Sequence, residues 1–176
     1  RTGLHKRALI HNLDLFQSDG QGTLQGEGVA FFTLGTGKTE SSYGIVRGLK
    51  TIYHPNDSKL VTDAILQLLN EQALTVEDID VVVNGSGGDT EKDRLLNDPA
   101  AQCFPGKSVY YKHLTGDYCT AASFGFWLGA RLLKEQRIPD AVQLAPVHFK
   151  RIKHLLLLNH HWGKNVSVIL LSAIAD

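Results

Sequence analysis

The residues best placed to do chemistry lie in two short stretches. One is Lys112-His113-Leu114-Thr115-Gly116-Asp117, which separates a β-branched and aromatic run at 108–111 from a helix that is apolar on almost every face. A lysine and a carboxylate at a strand-to-helix junction either cap the helix or belong to a site, because free N–H groups and the positive dipole end meet there. Asp117 reads first as a cap for the helix that follows, with orientation of Lys112 or contact with a substrate as the alternative. The other stretch is Asn84-Gly85-Ser86-Gly87-Gly88-Asp89, after the apolar run 79–83. Its glycines suit a backbone nest for a polar ligand and, equally, a tight turn that needs positive φ.

Other candidates are weaker. Gly37-Lys38-Thr39 resembles the end of a phosphate-binding loop, but Phe32 stands where that motif needs its first glycine, and a strand rather than a helix should follow. Cys119 lies near a helix start, which lowers a thiol pKa, yet Asp117 opposes this and the Ala-rich context predicts a buried, inert side chain. His160 and His161 are adjacent, so on a strand they face opposite ways and make poor joint metal ligands; no metal site is expected. Ser123 lacks a nucleophile-elbow context and reads as a packing residue.

These groups must be held by elements that the hydrophobic pattern outlines. Residues 1–16 are amphipathic and suit a helix running into the glycine-rich turn 18–22. Residues 29–34 and 43–53 suit two antiparallel strands joined by the turn at 35–39. Leu60, Val61, Ala64, Ile65, Leu68 and Leu69 form a helical stripe capped by Asp57 or Ser58. Thr75 opens a capped turn before the buried strand 79–83, and a helix is expected from Thr90 to about Leu96. The central helix after Asp117 stops at Ile138-Pro139, and 154–158 with 166–173 make a final strand pair. Alternating strands and helices predict an α/β fold, with a mixed, mainly parallel sheet and a buried central helix.

Composition bounds the function. The chain has 176 residues, 18 basic and 18 acidic side chains and no net charge, which gives no footprint for nucleic acid or an anionic membrane. Its longest apolar runs fall far short of the roughly 20 residues that span a bilayer. Two cysteines make no disulfide framework, which fits a reducing, cytoplasmic setting. Residues 1–176 suffice for a single domain, and the chain, which has no methionine, is expected to be part of a longer protein.

Several motifs in sequence order resemble the C-terminal half of β-ketoacyl synthases, condensing enzymes of the thiolase-like superfamily. Gly26-Glu27-Gly28 resembles the family's GEG segment, and Leu74-Thr75-Val76-Glu77-Asp78-Ile79-Asp80 its approach to a strand. Asn84-Gly85-Ser86-Gly87-Gly88 falls where the family has His-Gly-Thr-Gly-Thr. Lys112 to Asp117 falls where it has Lys-Ser-x-x-Gly-His, followed by an Ala-rich helix and Ile-Pro. Asn159 to Gly163 lies near its glycine-rich turn before the last strand.

The resemblance implies a thiolase-like half-fold and, as substrate, the phosphopantetheine arm of an acyl carrier protein, with no separate cofactor. Gly85, Ser86 and Gly87 are then the expected contacts for that arm, and Lys112 a residue that ties loops near the pocket. The family's nucleophilic cysteine belongs upstream of Arg1. Its two histidines are replaced by Asn84 and Asp117, and an ionised Asp117 would repel the enolate that decarboxylation creates. Loss of one oxyanion donor costs about 10²–10³ in rate. The pattern is similar to the non-condensing chain-length factors and to the diverged proteins of aryl-polyene and flexirubin-type pathways. It implies a subunit for fatty-acid-like or polyene synthesis, partnered by an acyl carrier protein and by a ketosynthase or a second copy of itself. Whether the chain is an enzyme stays open. The alternatives are an active synthase or acyltransferase that uses an upstream cysteine, and a carrier-binding module without a tunnel.

Overall fold

Leu155, Leu156, Leu157 and Leu158 are all fully buried. Successive strand side chains point to opposite faces, so a strand of this kind has to be covered on both sides. In a computed structural model, which describes residues 12–16 and 20–174, that strand is the middle of a five-stranded sheet.

The elements in chain order are β1 (Ile45–Tyr53), α1 (Ser58–Glu71), β2 (Val81–Gly85), α2 (Arg94–Cys103), β3 (Ser108–Tyr110), the one-turn α3 (Lys112–Thr115), α4 (Ala121–Glu135), β4 (His154–His161) and β5 (Asn165–Ser172). The sheet order is β1-β5-β4-β2-β3. β3, β2 and β4 run parallel, whereas β4–β5 and β5–β1 are antiparallel. The sheet is thus mixed, with the parallel strands at the β3 side.

One face packs on α4: Val81, Val83, Val109, Leu155 and Leu157 meet Leu128, Leu132 and Leu133. The other face carries Val82, Leu156, Leu158 and Val168 against Val61, Ile65 and Leu68 of α1 and Leu96 of α2. α4 lies close on the sheet because Gly125 and Gly129 face it. A Cβ on Gly125 would stand 2.8 Å from both Leu157 and Tyr111. Asp57 caps α1 by accepting from the Leu60 amide at 3.1 Å, and Thr75 with Asp78 forms the capping box before β2.

Three expectations change. Residues 29–34 form no strand: Val29, Phe31 and Leu34 are 73%, 89% and 77% exposed, and no neighbouring strand among the described residues offers them a ladder. β1 instead pairs with β5. The central helix is not buried all round. Its Gly125–Leu128–Leu132 face is covered, while Trp127 is exposed and Phe124 and Phe126 are half-buried. α2 starts at Arg94 and continues past Leu96 to Cys103, with Pro99 inside it. The amphipathic segment expected at 1–16 lies largely outside the described residues.

Candidate functional site

The carboxyl ends of parallel strands are where α/β sheets bind ligands. Here β2, β3 and β4 deliver Asn84–Asp89, Lys112–Asp117 and Asn159–Trp162 to the same end of the sheet. A strap at residues 20–26 closes over them. The Asp117 amide donates to Leu24 O at 2.7 Å, Gly26 N to Asp117 O at 3.2 Å, and Gly22 N to the Asp89 carboxylate at 2.7 Å. Gly26 is required there, since a Cβ would fall 1.8 Å from Thr115 O. Thr23, Gly87, Asp89, Lys92, Asp93, Asp117, His160 and Trp162 line the small polar cleft beneath the strap.

Lys112 is fully buried, and its ammonium is 2.8 Å from Asp117 Oδ1 and donates to His160 O at 3.1 Å. The lysine therefore ties the β3 and β4 ends together, and Asp117 is its counter-ion. Asp117 does not cap α4, which begins at Ala121 after Thr120. A buried lysine needs a charge partner more than the helix needs a cap: a broken buried pair costs about 3–5 kcal/mol, a lost cap about 1. Beside them, Thr23 Oγ1 is buried without a hydrogen-bond partner.

Asn84 is fully buried, and both ends of its amide are hydrogen-bonded within the chain. Its Nδ2 donates to Asn97 Oδ1 at 3.0 Å, and its Oδ1 accepts from Ser86 N at 3.0 Å and Ser86 Oγ at 2.8 Å. The next two amides, Gly87 N and Gly88 N, donate to the Asp93 carboxylate at 2.9 and 2.7 Å. The Ser86, Gly87 and Gly88 N–H groups, which a ligand nest at 84–88 would use, are thus directed at the chain's own side chains.

Burial works against the charge on Asp89, but the Lys92 ammonium and the Gly22 and Lys92 amides outweigh it and hold the carboxyl below its usual range. Burial pushes the Tyr111 phenol far up, so Tyr111 stays neutral and donates to Asn159 Oδ1 at 2.9 Å. Next to Lys112, burial depresses the His113 pKa. Its Nε2 donates to Ala141 O at 2.6 Å, and Nδ1 is buried without a partner.

Asp93, Asn97 and His160 are the site residues that motif reasoning missed. The strand period could have found His160: it shares parity with Leu156 and Leu158, which face α1 and α2, and Asp93 stands at the start of α2. His160 Nε2 is 2.8 Å from Asp93 Oδ1. His161 is on the opposite face and stacks on Trp162 at 4.6 Å. Cys119, expected to be buried, is exposed, because it precedes α4 in the turn after Asp117 rather than lying within the helix. Lys38 of the Gly-Lys-Thr triplet lines a separate open groove with Lys134 and Arg151, and no helix follows it. Ser123 Oγ donates to Thr120 O at 2.7 Å in the first turn of α4.

No family model matches the chain, and no curated protein does. Solved structures do. The ishigamide ketosynthase/chain length factor matches 98% of this chain over 49% of its own, at 16% identity and a TM-score of 0.70. A type II polyketide synthase acyl-carrier protein in complex with its ketosynthase matches 75% of this chain over 39% of its own, at 13% identity and 0.63. A β-ketoacyl synthase from Burkholderia phymatum matches 76% over 38%, at 13% and 0.57. The chain thus spans half or less of the length of these structures. At this identity the likeness is one of fold: the chain carries the mixed α/β layer of ketosynthases and chain-length factors.

Proposed function

We propose that this chain is ketosynthase-like and non-condensing, the chain-length-factor kind of subunit in a polyketide or fatty-acid-like pathway, with aryl-polyene or flexirubin-type pigments as the narrower assignment. One observation carries the reading. The two positions where the resemblance places histidine donors hold Asp117, bound to a buried lysine, and Asn84, bound to Asn97 and Ser86. Asp117 is a carboxylate with no N–H to offer a thioester enolate, and one of the two Nδ2 N–H groups of Asn84 is committed to Asn97. A preorganised donor aimed at the developing oxyanion is what such chemistry needs.

The partners follow from what is left uncovered. Residues 29–34 are rich in strand-forming side chains but have no strand partner among the described residues, and α4 presents a half-buried Phe124 and an exposed Trp127. Both features suit packing against a second α/β unit: a catalytic ketosynthase, a second copy, or a further part of the same protein. An acyl carrier protein is the substrate carrier in this reading, and its phosphopantetheine arm would meet Gly85, Ser86 and Gly87 through carbonyls and Cα surface, since the amides at 86–88 are engaged. No helix among the described residues is long and apolar enough to cross a membrane, and the two cysteines are unpaired, which suits cytoplasmic synthesis.

The test is decarboxylation of malonyl acyl carrier protein, measured as released carbon dioxide, with the purified protein alone and with a ketosynthase. The protein alone should stay at the no-enzyme background. Release more than about tenfold above background, abolished by alkylation of a cysteine, would establish the active synthase instead.

A further inference from the structure

Asp93 stands at the N-cap position of α2, yet its side chain makes no bond to that helix. Its carboxylate turns back to the loop after β2. Oδ1 accepts from Gly87 N at 2.9 Å and lies 2.8 Å from His160 Nε2, and Oδ2 accepts from Gly88 N at 2.7 Å. Asp93 and His160 are each 3% exposed, and among the described residues no Lys or Arg forms an ion pair with Asp93. The buried charge is therefore held by directed N–H groups. His160 is fixed as a donor by its other nitrogen: Nδ1 accepts from Gly163 N at 3.2 Å, which leaves the ring proton of the neutral imidazole on Nε2.

Three N–H groups, two from the loop after β2 and one from β4, thus converge on one carboxylate. Short charge-assisted bonds of this kind recognise carboxylates and oxyanions. Gly88 has φ +90°, in the left-handed region that favours glycine. Thr23 Oγ1, buried and unpartnered, borders the same cleft and adds a hydroxyl without a role in the closed arrangement.

We infer that Gly87 N–H, Gly88 N–H and His160 Nε2–H form a carboxylate receptor that the chain keeps filled with Asp93, and that a small free monocarboxylate takes the position once that side chain is removed. Acetate is the fitting ligand, because its methyl and carboxylate are the atoms that Asp93→Gly deletes. Formate fits loosely, and propionate carries a further methylene into the α2 backbone at position 93. The inference does not depend on whether the protein condenses acyl chains.

The experiment is thermal unfolding of wild type and Asp93→Gly in sodium acetate, formate, propionate and chloride at matched ionic strength, with Trp162 fluorescence as a local readout. Glycine is tolerated at an N-cap. The variant should melt lower than wild type and regain roughly 5–10 °C as acetate saturates. Formate should act more weakly, and propionate and chloride little, while wild type responds to none. Adding His160→Phe should weaken acetate binding about tenfold or more. No acetate response above chloride in folded Asp93→Gly overturns the inference, as does an equal response in wild type. If Asp93→Gly does not fold, Asp93→Ser is used. Failure of both to fold at any acetate concentration also overturns it, because a receptor for free carboxylate must recover part of the lost stability.

Discussion

The Lys112–Asp117 pair gives the most direct test of how the site is built. Lys112 is fully buried, and Asp117 is 6% exposed. Asp117→Asn keeps the shape and removes the charge, which leaves the ammonium with His160 O and a weak amide dipole. Breaking a buried pair at one end costs about 3–5 kcal/mol, because the remaining charge has lost its solvation and its partner. For a chain of this size, about 2–4 °C of melting temperature per kcal/mol translates this to a fall of roughly 6–20 °C. The assay is urea unfolding with the m-value monitored, so that a change in stability is separated from a change in the unfolded state.

The double variant Lys112→Met with Asp117→Leu supplies the control. Replacing both buried charges by apolar groups of similar volume is often neutral or stabilising. The double variant should therefore lie within about 1 kcal/mol of wild type, with a coupling energy of several kcal/mol between the two positions. A cost below ~1 kcal/mol for Asp117→Asn would mean that the pair behaves as a solvent-screened surface bridge, and the reasoning would fail. Additive single effects would refute it as well. The same argument predicts that Asp117→His destabilises the fold rather than supplying a useful donor, since it removes the counter-ion and sets an imidazole beside a buried ammonium.

Two further outcomes follow from packing and burial. His113 is held neutral by burial, so its folded pKa lies below the ordinary value of 6.5. Below about that pH the unfolded chain binds more protons than the folded one, so stability falls with falling pH and the loss levels off below the folded pKa. His154 shifts the same way through burial, and His113→Phe should therefore remove part of the acid slope, not all of it; an unchanged slope in urea melts from about pH 7.5 to about pH 5 refutes this. On α4, Gly125→Ala puts a Cβ 2.8 Å from Leu157 and Tyr111 and should cost about 1–3 kcal/mol. Gly129→Ala has 3.2 Å to Leu155 and Leu171, and the helix-propensity gain of about 1 kcal/mol should bring it near neutral; the reverse order in melting temperature would count against the close approach of α4.

The fold was legible wherever both faces of an element are settled within the chain. The stripe of Val61, Ile65 and Leu68 and the continuous apolar runs of β2 and β4 leave one arrangement, helices on both sides of a sheet, and Asp57 and Thr75 mark where elements begin. Residues 29–34 and the outer face of α4 misled for one shared reason. Their composition states that they want to be buried, and sequence cannot tell burial against this chain from burial against another unit. A strand-forming run becomes a strand only when a ladder partner exists, and none does among the described residues.

The site was legible by position and not by role. Motif order placed Asn84, Lys112 and Asp117 together because all three follow the carboxyl ends of parallel strands. What each does depends on which of its possible partners is costliest to leave unpaired. Asp117 had an ordinary local use, the helix cap, and lost it to Lys112 because an unpaired buried ammonium is the costlier defect. Asp93 had the same local use and lost it to three N–H groups that come from elsewhere in the chain. In both cases a carboxylate just ahead of a helix bonds to groups outside that helix, and the helix begins without a side-chain cap. That shared choice ties the ends of β2, β3 and β4 into one closed polar unit, with its donors turned inward on its own carboxylates. A site wired this way holds loops in place, because Asp117 is committed to Lys112 and Asn84 to Asn97 and Ser86.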